Sequence, residues 1–214
     1  MCWARRLVFP AFLLGALVAT GLLLRTSLAP ALAVMLACVV AELFDYWGHR
    51  LMHRVPLLWR FHAIHHSARR VYWLNATRTH PGELLVRGLF GAVPLAVLGA
   101  PELVLAWWMV LGRVAGLFQH ANVDFSLGPF AWIFSIGDLH RWHHSKVRSE
   151  ADRNYGNSFI FWDAAFGTRY LPRDREPPAE VGIEGVEAFP TRLAGQLVAP
   201  FRPQPAVGAS GEAA

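Results

Sequence analysis

Apolar and polar positions are arranged along this chain in long blocks rather than in short alternation. Residues 7–24 form an uncharged, largely apolar run of 18 positions behind Arg5 and Arg6. At about 1.5 Å of rise per residue, such a run in helical form covers most of a hydrocarbon core about 30 Å thick. After Arg25 alone, a second run occupies residues 26–41 and continues through Glu42, Leu43 and Phe44 to Asp45. The two runs predict a tight transmembrane hairpin with both ends on one side. The rival reading of the first run is a signal peptide cleaved near the alanine-rich residues 29–33, which the second run disfavours. A further apolar block, residues 88–112, is broken by Gly99, Ala100, Pro101 and Glu102, which predict a turn between two shorter helices. A second membrane hairpin over about residues 84–118 follows.

The polar positions orient these blocks. Arg50, Arg54, Arg60, Arg69, Arg70 and Arg78 lie between the hairpins, whereas the two predicted turns carry only Arg25. By the positive-inside rule, the intervening segment and both termini face the cytoplasm. From residue 172 onward Pro, Glu, Arg and Gly dominate, which predicts a loosely ordered peripheral tail. The predicted organisation is thus an N-terminal hairpin over residues 1–47, a histidine-rich region with the second hairpin over 48–171, and a polar tail over 172–214. The fold class is all-α and integral to a membrane, with about four embedded helices in two hairpins beneath a cytoplasmic helical cap.

Composition agrees with lipid as solvent. Hydrophobic residues make up 54% of the 214 positions, charged residues 16%, and mean hydropathy is +0.31. The net charge of +5 comes almost wholly from scattered arginines, since Lys146 is the only lysine, and no basic stripe or motif predicts nucleic acid as a partner. Cys2 and Cys38 form neither a disulfide framework nor a cysteine metal site.

The candidate chemistry lies in ten histidines, eight of them in three tight clusters: His49 and His53; His62, His65 and His66; His140, His143 and His144. His80 and His120 stand singly. A spacing of four places His49 and His53 on one helical face, one turn apart. In His62-Ala-Ile-His65-His66 and His140-Arg-Trp-His143-His144, each segment offers three nitrogen ligands. Imidazole suits iron, zinc, copper and nickel, and so many nitrogens exceed the needs of one tetrahedral ion, which predicts two metal ions at the membrane face. Glu42 and Asp45 are candidates to orient ligand imidazoles, or else mark a polar helix end at the interface.

With these elements in order, the chain resembles the fatty acid hydroxylase and sterol desaturase superfamily over about residues 45–171. Asp45-Tyr-Trp-Gly-His49-Arg-Leu-Met-His53 looks like its first histidine box, Trp59-Arg-Phe-His62-Ala-Ile-His65-His66-Ser67 its second, and His140-Arg-Trp-His143-His144-Ser145 its third. Thr79-His80-Pro81-Gly82-Glu83 and Gln119-His120-Ala121-Asn122 are similar to its isolated histidine elements. Asn154-Tyr155-Gly156, followed by Trp162-Asp163-Ala-Ala-Phe166-Gly167-Thr168, is similar to its closing signature. The resemblance implies that His49, His53, His62, His65, His66, His80, His120, His140, His143 and His144 hold two iron ions, for which zinc can substitute, with Asp45, Asp124 and Asn154 as supporting residues. Asp124 stands where some members carry a further histidine.

What the resemblance implies about activity is an O₂-dependent oxidoreductase that hydroxylates or desaturates a membrane lipid, such as a sterol, fatty acyl chain or carotenoid. No Rossmann glycine fingerprint, flavin site or ferredoxin-like cysteine set is present, so electrons are expected from an external reductase or small redox carrier. Trp73, Trp107, Trp108, Trp132 and Trp142 are candidates for an apolar substrate tunnel, against plain packing or interfacial roles. Two rival functions share the histidines: a non-redox zinc protein, hydrolytic or structural, and a metal transporter. The transporter fits less well, because the clusters lie outside the apolar runs.

Overall fold

The computed structural model describes residues 30–123, 128–135, 137–186 and 188–202. The first apolar run, Cys2 and Asp124 lie outside the described residues.

Helix α1 spans Pro30–Arg54 and opens on a proline, whose fixed φ and missing N–H suit a first helical position. Ala33, Ala37 and Ala41 recur every fourth residue and, with Val40, pack on Leu95 and Val104. Small side chains at that spacing let neighbouring backbones come close. Farther along, a Cβ on Gly48 would sit 2.7 Å from Cγ of Phe90, so this crossing requires glycine. The helix does not stop with the apolar run but continues through His49 and His53. It ends where Val55 turns extended (φ −96°, ψ 114°) ahead of Pro56, a residue that disfavours helix in its predecessor.

Helix α2 (Pro56–His66) follows at once and packs back on α1. Helix α3 (Pro81–Arg87) runs into a π-turn, Gly88–Ala92, and then α4 (Val93–Val97). Pro94 supplies the cause: it lacks an N–H and its ring crowds the carbonyl four residues earlier, so the helix widens just ahead, with the Val93 N–H donating to the Gly88 carbonyl. The chain reverses at Gly99, which has φ +83°, and Pro101 leads into α5 (Glu102–Gln119). This is the turn that Gly99, Ala100, Pro101 and Glu102 predict.

Among the described residues, α1 and α5 are long and apolar enough to cross a membrane. Leu103, Trp107, Val110, Leu111, Val114 and Phe118 of α5 all face outward, an apolar surface that suits lipid rather than water. The remaining helices are short: α6 (Gly137–His143), α7 (Arg148–Ala151), α8 (Phe161–Phe166) and α9 (Leu193–Val198). Extended structure among the described residues amounts to two isolated pairings, Phe134 with Phe159 and Ser145 with Val181, so the described chain is all-helical. Part of the polar C-terminal stretch packs firmly. Val181 and Ile183 are buried, and the Gly182 N–H donates to the His144 carbonyl at 3.1 Å.

Candidate metal centre

Nine of the ten histidines converge into two adjoining groups. His49, His53, His62, His66 and His143 form one; His65, His120, His140 and His144 form the other, with ligand atoms within 4.8 Å of one another in each. All nine are buried. The rings of His66 and His144, from different groups, stand 4.4 Å apart.

Helical geometry explains the division. Successive helical positions turn about 100°, so positions i+3 and i+4 lie to either side of position i. His62 and His66 therefore point to the first group, while His65 points to the second. In the third box the split reverses, with His143 entering the first group and His140 and His144 the second.

Outer contacts decide which nitrogen each ring presents. Nδ1–H of His49 donates to the Tyr155 carbonyl (2.7 Å), that of His143 to the Arg153 carbonyl (2.7 Å), and that of His120 to the Gly116 carbonyl (2.7 Å). Nδ1–H of His62 donates to Glu83 Oε1 (2.9 Å), and that of His53 to Asp152 Oδ1 (3.2 Å). Each such ring, when neutral, turns a bare Nε2 lone pair inward. Burial, opposed by the Glu83 carboxylate, pushes His62 down to about 3, and burial also holds His65, His66, His140, His143 and His144 well below the ordinary value. The rings are thus neutral.

This arrangement supplies a test of metal fit. Nε2 of His49 and Nε2 of His62 lie 3.0 Å apart, and both are lone pairs because both Nδ1 atoms carry the proton. Nε2 of His120 faces Nε2 of His65 at 3.2 Å and Nε2 of His140 at 3.0 Å. Nε2 of His53 and Nε2 of His143 are buried without a partner, which ordinarily costs about 1–3 kcal/mol each. The facing lone pairs of His49 and His62 repel in a buried site unless a cation lies between them. The residues present therefore fit metal ions.

The closing signature holds the support in place. Asp163 accepts from the backbone N–H groups of Tyr155 (2.8 Å) and Gly156 (2.7 Å), and the Thr168 hydroxyl donates to the same carboxylate at 2.6 Å. A Cβ on Gly156 would lie 2.2 Å from the Phe159 carbonyl oxygen, so only glycine fits there. Asn154, at φ +52°, donates to the Leu139 and Tyr170 carbonyls and accepts from the Tyr170 N–H. It fastens the backbone that presents Tyr155 rather than touching an imidazole.

Several expected site residues lie elsewhere. His80 joins neither group, because its Nδ1 accepts from the Gly82 N–H (2.9 Å) to cap α3 and its Nε2–H faces the Leu197 carbonyl (3.2 Å). Asp45 pairs with Arg87 (3.4 Å), and Glu42 accepts backbone N–H groups of Asn157, Ser158 and Phe159, so neither orients an imidazole. That task falls to Glu83, Asp152 and three backbone carbonyls. Backbone acceptors leave no signal in side-chain identity. Glu83 was visible one residue past His80-Pro81-Gly82, with nothing local to tie it to His62, 21 positions away.

A cavity of about 430 Å³ reaches both groups between the α3–α4 arm and α5, touching His49, His65, His120 and His140. Of the five candidate tryptophans only Trp108 lines it. Trp73 and Trp107 are exposed, Trp132 lies under Arg169 at 3.8 Å, and Trp142 is buried against Tyr170.

A helical protein that gathers two sets of buried imidazoles beside such a cavity is, as a class, a histidine-box protein whose clusters could hold metal. Residues 34–168 match the fatty acid hydroxylase family, and the chain belongs to that family. The ornithine lipid hydroxylase OlsE of Rhizobium tropici is 42% identical over 171 residues, which cover 80% of this chain and 51% of that protein. Methylsterol monooxygenase 2-2 of Arabidopsis thaliana is 32% identical over 133 residues, 61% of this chain and 49% of that protein. Alkylglycerol monooxygenase of Caenorhabditis elegans is 28% identical over 142 residues, 66% of this chain and 28% of that protein. The matched region spans about half the length of the first two relatives. No solved structure matches.

Proposed function

We propose that this protein oxidises a membrane lipid with O₂, by hydroxylation or desaturation, at two histidine-held iron ions. The observation that carries this reading is the pair of adjoining groups of inward-facing imidazoles at the end of a cavity between apolar helices. Family membership and the names of three relatives, an ornithine lipid hydroxylase, a methylsterol monooxygenase and an alkylglycerol monooxygenase, support it. When bound, an iron pair supplies O₂ activation: for hydroxylation, a lipid C–H bond and O₂, with two electrons and two protons from outside, yield C–OH and water.

The chain's own residues do the placing. Glu83, Asp152 and the carbonyls of Arg153, Tyr155 and Gly116 fix the Nε2 lone pairs before any ligand arrives, so little reorganisation accompanies the reaction. The α3–α4 arm and α5 wall the cavity. In this reading α1 and α5 cross the bilayer as members of the two hairpins, and the arginines from Arg50 to Arg78 support a metal site on the cytoplasmic side. Electrons arrive from a separate reductase or small redox carrier.

The test is metal analysis after anaerobic purification, followed by O₂ consumption and product analysis with added lipids. Two iron ions per chain and lipid-dependent uptake of O₂ are expected. Zinc alone with no O₂ uptake on any lipid would favour the non-redox rival. His143→Ala, in the first group, and His65→Ala, in the second, should each lower metal content and abolish turnover without preventing membrane insertion.

A further inference from the structure

The cavity that ends at the histidines has uneven walls. Trp108, Met109 and Gly112 of α5 are uncharged, but Arg113 follows them and also lines the space. Between Glu102 and Gln119 no other position of α5 carries charge. A guanidinium within an apolar membrane helix is costly and ordinarily marks function. Its five N–H donors also require acceptors.

The two guanidinia on the cavity differ in how they are satisfied. Arg87 donates through Nε to Glu83 (3.0 Å) and through Nη1 to Asp45 (3.4 Å). Arg113 makes no hydrogen bond or ion pair with the described residues and feels Asp45 only at longer range. Arg113 is exposed as well as lining the cavity. Arg113 precedes His120 by seven positions, about 10 Å along a helix axis.

Resting on the lipid-oxidising reading, we propose that Arg113 is the subsite for an anionic group of the substrate, a carboxylate or phosphate near the polar head, and that it selects anionic over uncharged lipids. A planar guanidinium meets either anion with paired hydrogen bonds. The oxidised carbon then lies in the head-proximal part of the molecule, since Arg113 and the histidines line one cavity. An arginine that only snorkels to the membrane surface would meet bulk headgroups and would not discriminate among lipids entering the cavity.

The test reads binding without turnover, using metal-loaded protein in neutral detergent under nitrogen and isothermal calorimetry. The probes are N-palmitoylglycine and palmitoyl lysophosphatidic acid, each paired with a neutral counterpart, N-palmitoylglycine methyl ester and monopalmitoylglycerol. The acids should bind about ten-fold or more tighter than their neutral counterparts, Arg113→Gln should erase that preference, and Arg113→Lys should keep part of it. Sodium acetate or inorganic phosphate should not displace the acids at millimolar concentration; displacement by either would make a free anion the occupant and overturn the lipid assignment. Equal binding of acid and neutral lipid by the unmodified protein, which needs no variant to fold, also overturns the proposal while leaving lipid oxidation standing. Retention of the preference in Arg113→Gln does the same. Failure of all four lipids to bind overturns the anionic subsite while leaving lipid oxidation, which the O₂-uptake assay tests, standing.

Discussion

At the scale of single residues, the centre depends on which imidazole nitrogen carries the proton. Glu83 is the clearest case, since one of its oxygens accepts from both His62 Nδ1 and Arg87 Nε. Glu83→Gln keeps the size of the side chain but removes the charge that fixes the His62 tautomer. Outer partners of this kind typically contribute about ten- to hundred-fold in metal affinity. Glu83→Gln is therefore expected to weaken zinc or anaerobic iron binding by about that factor, read by titration against a chelator. Unchanged affinity would show that His62 is oriented by packing alone. The histidine boxes were legible in the sequence because ligand type and spacing are local properties. Glu83 was not, because its partner lies in a different helix.

At the scale of elements, the crossing of α1 with the π-turn sets where the first histidine box sits. Gly48 is adjacent to His49, and Phe90 fills the space a side chain would occupy. Gly48→Ala forces a Cβ against the root of the Phe90 ring, where rotation about the far end of the side chain gives little relief, so about 1–3 kcal/mol of stability should be lost. Phe90→Ala in the same chain should recover much of it, because the clash has one partner. Thermal unfolding of the two single variants and the double variant tests this, and purely additive losses would contradict it. Here the apolar blocks predicted the turn at Gly99 and the existence of α5, since composition alone reports long apolar helices. The continuation of α1 through His53 was not legible, because the helix outlasts its apolar run and ends only where Pro56 constrains Val55.

At the scale of the whole molecule, the buried neutral imidazoles of the second and third boxes couple stability to pH and to metal. In an unfolded chain histidine titrates near about 6.5. With the folded values depressed, His62 to about 3, the native state binds fewer protons than the unfolded one. Stability is then full above about pH 6.5 and is lost as the pH falls toward about 3. Metal-stripped protein should show a falling Tm from about pH 7 to about pH 5, and loaded protein should release metal over the same range as protons compete for Nε2. Restoring metal at neutral pH should raise Tm, because the ions bind the folded state preferentially. A metal-free Tm that stays flat or rises on acidification would contradict the burial of neutral rings. By itself the sequence determined the apolar helices and the three histidine clusters, both set by local spacing and composition. Only the tertiary structure decided that the second and third boxes divide two-to-one and one-to-two between the groups, that His80 caps a helix instead of joining them, and that Arg113 faces the cavity. Each of those depends on which distant helix stands opposite a given face, and that is decided when the helices pack together.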